Sequence, residues 1–410
     1  MGVNVVDAVL APVEAAVVGV DARLRVLAGR VPAPIGPVAR VNSVLTERRV
    51  RAWSVVLVAF WLPAALAPLW SFWDFSAFYS AGALVGHREL ETLVGPVSYQ
   101  AGLGLPTVTY VNTPAFAFLY APLAALPYAV AGWIAMAAMF GLLVAAVEVG
   151  RRPFGIPRSM ALVGALLWPP AAAAVVSNQT APLALFLVAV AFVGLRRGGT
   201  GDLLAGIAIA GLAYKPQLAL PLLALLVVRA RWRALAATFA GFGAHYLLGV
   251  FATGGDWQWP STWLSTVNAW MGYDVIHNWQ SVSLVVTLGG SPVIYVALAV
   301  VGIALVPSLR RRPLHEAIAV ATVAGLVASP HALIYDATLA LPMLAMLGRP
   351  RIAFYVAAAL WPLGGIVGFQ PLSFLLAIWV LSQASVGLTK SAAAGQPAPT
   401  GSPKLDEAAA

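Results

Sequence analysis

The chain has 410 residues, of which 61% are hydrophobic and only 10% are charged. Because soluble globular domains carry about 25% charged residues, this chain cannot cover a water-facing surface, and lipid is expected to be its main solvent. Its net charge of +9 does not indicate nucleic-acid binding, because the Lys and Arg residues stand in short clusters between apolar runs, as in the cytoplasmic loops of membrane proteins.

The two ends of the chain differ in composition from the rest. Residues 1–45 mix polar and apolar positions, with apolar residues at roughly helical spacing, and are interpreted as a cytoplasmic or interfacial segment. Residues 46–390 are expected to form the transmembrane domain. Residues 391–410 are rich in Ala, Pro, Gly and Ser and are predicted to be a disordered tail.

Basic clusters set the expected topology. Arg48-Arg49-Val50-Arg51 should stay in the cytoplasm, so the first span runs outward. Apolar runs alternate with basic clusters and polar segments, which predicts an all-α polytopic helix bundle of about twelve spans with both termini in the cytoplasm. Clear spans are expected at 53–70, 128–149, 159–176, 234–251 and 314–328, with two more filling 352–388. Under this topology, all but Arg88 and Lys215 of the 24 Lys and Arg residues are cytoplasmic.

Two apolar segments depart from simple spans. Residues 113–127 contain three Pro residues and are short for a span, so they are expected to be re-entrant or to lie on the outer surface. Residues 203–228 are interrupted at Tyr214-Lys215-Pro216, and basic residues flank both ends. Because both ends prefer the cytoplasm and Pro breaks a helix, this segment is predicted to form two short helices that turn at Lys215.

The polar residues that are unusual in such an apolar chain collect on the predicted outer side. A charge at membrane depth costs roughly 2.5–3.5 kcal/mol on insertion scales, so each needs a reason. An active site is therefore expected on the extracytoplasmic face. These residues are Asp74, His87, Asn112, Asn178, Gln179, Lys215, His277, Gln280, His331 and Asp336.

Asp74 follows the first predicted span and stands among Phe72, Trp73, Phe75 and Phe78. Aromatic neighbours would partly desolvate its carboxylate, which raises a carboxyl pKa and makes the group a better general base. The alternative is that Asp74 caps the helix that starts at Phe75.

Lys215, His331 and Asp336 are suited to an anionic ligand. A buried Lys needs an anionic partner, and a lipid phosphate fits this role. The alternatives are that Lys215 snorkels to the membrane surface or pairs with an acid on the outer side. His331, in Ser329-Pro330-His331, could donate to a phosphate oxygen or to a sugar hydroxyl. Asp336 could orient His331 or bind sugar, and a purely structural His–Asp pair is the alternative.

Amide and Trp side chains offer contacts to sugars. Asn178-Gln179 and Asn278-Trp279-Gln280-Ser281 stand at the borders of apolar stretches, so they either bind sugar hydroxyls or cap at the interface. The five Trp residues of the loop 252–281 either stack on sugar rings or anchor the loop at the membrane surface. His245, inside a predicted span, is interpreted as a packing residue.

No cofactor pattern is present in the sequence. The chain has no GxxxxGK[ST] and no suitably placed GxGxxG, so nucleotide binding is not predicted. The lack of Cys excludes thiolate catalysis and Cys-based metal sites, and the carboxylate clusters of metal-dependent nucleotide-sugar enzymes are missing. We therefore expect no cofactor and no metal, and a donor already activated on a lipid phosphate.

The ordered set of these motifs resembles glycosyltransferase family 87. Asp74-Phe75-x-x-Phe78-Tyr79-x-Ala81-Gly82 is similar to the family's D-x-x-x-Y-x-A-G opening. The resemblance covers roughly 50–390 and departs in having Asn112-Thr113 before Pro114 and Ser177 before Asn178. Other features of the family are matched by Tyr110-x-x-x-Pro114, Ala121-Pro122-Leu123, Leu126-Pro127, Asn178-Gln179, Lys215-Pro216, Asn278-Trp279-Gln280-Ser281 and Ser329-Pro330-His331.

The resemblance implies a GT-C-like fold, with short helices in the extracytoplasmic loop region, and an inverting transfer from a polyprenyl-phosphate donor. Known members of the family include polyprenyl-phosphate-mannose-dependent α-mannosyltransferases. Asp74 would accept the proton of the acceptor hydroxyl, and Lys215 and His331 would hold the leaving phosphate. The expected substrate-binding residues are Tyr79, Asn112, Asn178, Gln179, Asn278, Gln280 and Asp336.

The sequence thus predicts a multi-pass plasma-membrane hexosyltransferase, with mannose as the expected sugar. Its expected partners are a polyprenyl-phosphate-sugar donor, a lipid-linked or cell-envelope glycan acceptor and membrane lipids, but not nucleic acid. The alternative is a transporter or flippase, which should show related halves and ionisable groups at the membrane midplane; neither pattern is evident. A non-catalytic scaffold would leave Asp74, Lys215 and His331 unexplained.

Overall fold

The computed structural model describes residues 72–92, 94–273, 280–346 and 369–395. In these ranges the chain forms helices joined by turns, with one isolated bridge between Ser281 and Leu333. The predicted segment 1–45, the span at 53–70 and the residues from 396 onward lie outside the described residues. The last described helix reaches Gly395, a few residues into the predicted tail, where Ala residues favour helix.

The helices divide into two runs along the chain. The first run comprises α1 (Phe75–Ala83), α2 (Val94–Gly102), α3 (Ala121–Ala124), α4 (Tyr128–Arg151), α5 (Arg158–Leu167), α6 (Pro169–Val176), α7 (Ala181–Arg197) and α8 (Gly201–Ala210). The second comprises α9 (Pro216–Val228), α10 (Trp232–Ala252), α11 (Trp259–Tyr273), α12 (Leu284–Thr287), α13 (Pro292–Arg311), α14 (Leu314–Ala328), α15 (Leu341–Met346) and α16 (Gln370–Gly395). Short 3-10 helices occupy Arg88–Glu91, Pro114–Leu119, Arg152–Phe154, Gly211–Tyr214 and Ile334–Ala340.

Three helices of the described part are long and apolar enough to cross a membrane, at Tyr128–Phe154, Trp232–Ala252 and Pro292–Arg311. Large apolar side chains on the last two, such as Phe251 and Val293, are exposed, which suits contact with lipid rather than water. The chain is thus an all-helical membrane protein, and the number of about twelve spans stays a prediction.

The predicted span at 159–176 is not one continuous helix. It is divided into α5 and α6, which are bent by 68° relative to each other. The backbone at Trp168 is extended, with φ −76° and ψ 105°, because the residue before a Pro disfavours the helical conformation and Pro169 cannot donate a hydrogen bond. The indole nitrogen of Trp168 donates to the carbonyl of Ala337 at 2.8 Å, which holds the bend against a later segment.

The predicted interruption at Lys215 is confirmed. After α8, the chain tightens into the 3-10 helix Gly211–Tyr214, and α9 begins at Pro216. Lys215 itself has φ −132° and ψ 76°, outside the helical region. The Pro-rich segment 113–127 likewise forms short helices rather than a span.

An aromatic core joins these irregular segments. The rings of Phe78 and Tyr120 stack with centroids 4.8 Å apart, and those of Phe116 and Tyr214 stack at 4.2 Å. Phe116 and Tyr120 meet edge to face at 5.6 Å. Since Phe78 lies on α1 and Tyr214 precedes Lys215, this core fixes the N-terminal end of the described chain beside the break at Lys215.

Small residues let the helices approach closely, as is common between helices in membranes. Gly206 of α8 packs against α10 so tightly that an added Cβ would stand 2.3 Å from the Ala234 carbonyl oxygen and 2.5 Å from the Ala237 Cβ. No other side chain can occupy this position without moving one of the helices.

We therefore expect Gly206→Leu to lower the free energy of unfolding by about 1–3 kcal/mol or more, because overpacking forces α8 away from α10. The measurement is thermal unfolding of the purified protein in detergent. Gly243→Leu is the matched control, because an added Cβ at this position of α10 meets no atom within 4 Å. Equal melting temperatures for the two variants would contradict the packing described.

Candidate active site

Asp74 stands at the N-terminus of α1 and is half-buried. It occupies the N-cap position, but its side chain makes no capping hydrogen bond. Its Oδ2 instead accepts a 3.0 Å hydrogen bond from Nε2 of Gln179. Burial raises the pKa of Asp74 above its ordinary value, and the weaker effect of the Gln179 hydrogen bond lowers it. The carboxylate is therefore not used for capping and has the environment of a general base.

The turn before Asp74 is held by aromatic contacts. Phe72 has a left-handed φ of 42°, a costly conformation for a non-Gly residue. Its carbonyl oxygen accepts a 2.7 Å hydrogen bond from the Tyr128 hydroxyl, and its ring meets the Trp133 ring edge to face at 5.6 Å. α4 thereby fixes the backbone that presents Asp74.

Gln179 reaches Asp74 because of the way α6 ends. Asn178 adopts φ +54° and its N–H donates to Val175, while the Gln179 N–H donates to Ala174. This pair of bonds is a Schellman ending, in which Asn is one of the few residues that tolerate the left-handed position. The ending turns the chain sharply and places the Gln179 side chain against Asp74.

Lys215 and Asp336 form a buried ion pair. The Nζ of Lys215 lies 2.6 Å from Oδ1 of Asp336, and the two side chains are 9% and 2% exposed. Oδ2 of Asp336 accepts from the Leu333 N–H at 3.1 Å. Of the alternatives for Lys215, the structure thus shows the ion pair with an acid. Asp336, expected to orient His331 or bind sugar, has both carboxylate oxygens engaged by Lys215 and Leu333.

One hydrogen bond connects the Asp74 turn with the Lys215 break. The Tyr214 hydroxyl donates to the carbonyl oxygen of Thr180 at 3.0 Å. Thr180 directly follows Gln179, and Tyr214 directly precedes Lys215. Gln179, which bonds to the Asp74 carboxylate, and Tyr214, which precedes Lys215, are therefore connected through Thr180.

The Ser-Pro-His segment lies beside both Lys215 and the segment that contains Gln280. Nε2 of Gln217, two residues after Lys215, donates to the His331 carbonyl oxygen at 3.3 Å. The Val282 N–H donates to Ala332 at 2.9 Å. The His331 ring meets the Trp270 ring of α11 edge to face at 4.8 Å. Motifs that are far apart in the sequence are thus brought into one hydrogen-bonded and packed region.

The chain matches a protein-family model. The model of glycosyltransferase family 87 matches residues 110–342, which is more than half of the chain. The chain belongs to glycosyltransferase family 87. Comparisons with curated proteins and with solved structures gave no match. The matched range includes Lys215, His331 and Asp336, whereas Asp74 and Tyr79 precede it.

The other predicted substrate-binding residues of this family 87 member differ in burial and in hydrogen bonding. The Tyr79 hydroxyl donates to the Leu126 carbonyl oxygen at 2.8 Å, a structural contact. Asn112 and Asn178 are buried, and among the described residues their Oδ1 atoms have no hydrogen-bond partner. Gln280 is half-buried, and Asn278 lies outside the described residues. Unpaired buried carbonyl oxygens are costly, so the two Asn residues are suited to accept from a ligand.

The sequence interpretation missed two residues that connect the Asp74 turn with the Lys215 break. Thr180 and Tyr214 each adjoin a recognised motif, and this adjacency was the available signal. Thr180 is fully buried, and its Oγ1 has no partner in the described part of the chain. The described structure also contains a separate apolar cavity, partly open to the surroundings, whose lining includes Arg151, Phe154 and Leu185 but no predicted site residue.

We expect Lys215→Met and Asp336→Leu each to destabilise the enzyme by roughly 3–5 kcal/mol, because each leaves an uncompensated buried charge. The double variant should regain most of this loss, since both charges are then absent. Thermal unfolding in detergent measures the effect. A double variant whose loss equals the sum of the two single losses would show that the charges do not stabilise each other.

Proposed function

We propose that this glycosyltransferase moves a hexose, with mannose the expected sugar, from a polyprenyl-phosphate donor to a lipid-linked or cell-envelope glycan acceptor. The reaction takes place at the extracytoplasmic face of the plasma membrane, with both termini of the chain in the cytoplasm. The observation that carries the proposal is a half-buried carboxylate with a raised pKa, joined through one turn to a buried Lys.

Asp74 supplies the base in this proposal. The acceptor hydroxyl oxygen attacks C1 of the sugar while the bond from C1 to the phosphate oxygen breaks, and the hydroxyl proton passes to the Asp74 carboxylate. A single displacement of this kind inverts the configuration at C1. The Gln179 hydrogen bond orients the carboxylate and lowers its pKa, which opposes the effect of burial.

Lys215 and His331 hold the leaving group. A polyprenyl-phosphate-sugar carries one negative charge on its phosphodiester, and the departing polyprenyl phosphate carries up to two. A fixed ammonium therefore stabilises the transition state more than the bound donor, which is the requirement for catalysis. Lys has three N–H donors, so Lys215 can serve the phosphate while it remains bonded to Asp336.

The first test is Asp74→Asn. The full-length protein in detergent is incubated with polyprenyl-phosphate-mannose and glycolipid acceptors, and the products are identified by mass spectrometry. We expect transfer by the wild type and a loss of about 10²–10⁴-fold in the variant, because Asn cannot accept the proton. Asp256→Asn in the loop before α11 is the control and should retain activity.

Near-wild-type turnover of Asp74→Asn would rule out Asp74 as the base. Wild-type protein that transfers no sugar, but moves a lipid-linked solute across a liposome membrane, would replace the proposal with a transport function.

The pH dependence provides a second test. The Gln179 hydrogen bond lowers the pKa of Asp74, so Gln179→Leu should raise that pKa further. A general base acts when deprotonated, so activity is lost as the pH falls through its pKa. The acidic limb of the pH profile of kcat/KM should therefore move to higher pH in Gln179→Leu. Gln258→Leu, at an exposed position, should leave the limb in place. An unmoved limb in both variants would show that Asp74 does not titrate in the reaction.

A further inference from the structure

Asn112 carries an unsatisfied acceptor in a rigid setting. The residue is only 6% exposed, and its Oδ1 has no hydrogen-bond partner among the described residues. Nearly all buried carbonyl oxygens in folded proteins accept a hydrogen bond. The described residues therefore do not supply the donor for this oxygen, and a ligand hydroxyl is a group that could donate to it.

The residues on both sides of Asn112 are anchored. The indole nitrogen of Trp263 donates to the Val111 carbonyl oxygen at 3.2 Å, and the Tyr110 hydroxyl donates to the Thr113 carbonyl oxygen at 3.0 Å. The Thr113 hydroxyl lies 2.8 Å from Nε2 of His245 on α10. Three side-chain contacts thus hold the irregular backbone on both sides of Asn112.

His245 is itself supported by a Trp ring. Its imidazole meets the Trp259 ring edge to face at 6.5 Å. Trp259 is buried and donates to the Tyr246 carbonyl oxygen at 3.0 Å. Its ring packs so closely on Gly249 that no Cβ would fit there. The contact with Thr113 is therefore made by a fixed ring rather than by a mobile side chain.

We infer that His245 is a positioning residue, which holds Thr113 so that the Asn112 carboxamide oxygen accepts a hydrogen bond from a sugar hydroxyl. The inference rests on the proposed hexosyl transfer. The hydroxyl belongs either to the transferred sugar or to the acceptor glycan, and the two sources are separated by experiment. His245 does not touch the substrate, and it acts only through the segment that carries Asn112.

The test compares His245→Leu, His245→Gln and Thr113→Val in the transfer assay with polyprenyl-phosphate-mannose and a glycolipid acceptor. We expect His245→Leu and Thr113→Val to lower kcat/KM roughly tenfold to a hundredfold, the scale of a misplaced contact group, mainly through KM. His245→Gln retains a hydrogen-bonding group and should recover most of the activity. Thr238→Val is the matched control, because Thr238 lies on the same helix and its hydroxyl donates to Ala234 within its own turn.

The Asn112→Ala background separates positioning from general damage. His245→Leu should cause no further loss there, because the group that it positions is already absent. Donor and acceptor analogues that each lack one hydroxyl identify the source. The wild type should prefer the hydroxylated substrate to one of these analogues. Asn112→Ala and His245→Leu should both lack this preference.

The inference is overturned if His245→Leu and Thr113→Val match the wild type, or if the losses from His245→Leu and Asn112→Ala multiply. If His245→Leu does not fold, Thr113→Val removes the same contact with almost no change of shape and decides the matter. A wild type that is inactive with every donor would contradict the proposed function, which is a different result from active variants.

Discussion

The rest of the site depends on the buried ion pair between Lys215 and Asp336. Two charges in so apolar a chain are stable only when each compensates the other, and these two are 121 residues apart. Both stand in irregular backbone, one at the helix break before α9 and the other in the 3-10 helix Ile334–Ala340. Irregular backbone in a membrane protein has to be covered by other parts of the protein. The pair therefore adds a direct link between two irregular segments that lie far apart in the sequence.

A single turn links this pair to Asp74. Gln179 bonds to the carboxylate, and the next residue, Thr180, accepts from the Tyr214 hydroxyl beside Lys215. Because Gln179 and Thr180 are successive, a movement of this turn would displace the Asp74 carboxylate and the Lys215 break together. The Schellman ending at Asn178 fixes the start of this turn. On its other side the turn is held by Tyr214, whose ring stacks on that of Phe116. The relative placement of acid and amine is thus a property of rigid backbone and packed rings.

The sequence predicted the features that neighbouring residues determine, but not those that depend on contacts between distant residues. α14 was predicted with its observed bounds because an apolar run lies between a basic cluster and a Pro, and the break at Lys215 followed from Pro216. The bend at Trp168 was missed because Pro is also common in the first turn of a helix, so Pro169 is compatible with either outcome. The partners of Lys215 and Asp74 could not be read from the sequence, since Glu91 and Asp256 were equally available acids and several amides could have met Asp74.

In the proposed transfer from polyprenyl phosphate, the ion pair also limits how strongly Lys215 holds the phosphate. An isolated buried ammonium would bind the substrate and product anions tightly, and the departing polyprenyl phosphate, with its higher charge, would leave slowly. Asp336 already neutralises Lys215, so the ammonium acts mainly as an oriented donor whose attraction to the phosphate is opposed by the nearby carboxylate. In the proposed reaction, the Lys215 N–H donor forms a stronger hydrogen bond as negative charge grows on the phosphate oxygen, and this difference between bound donor and transition state lowers the barrier. For the proposed reaction, a Lys that is compensated by Asp336 therefore favours turnover over tight binding.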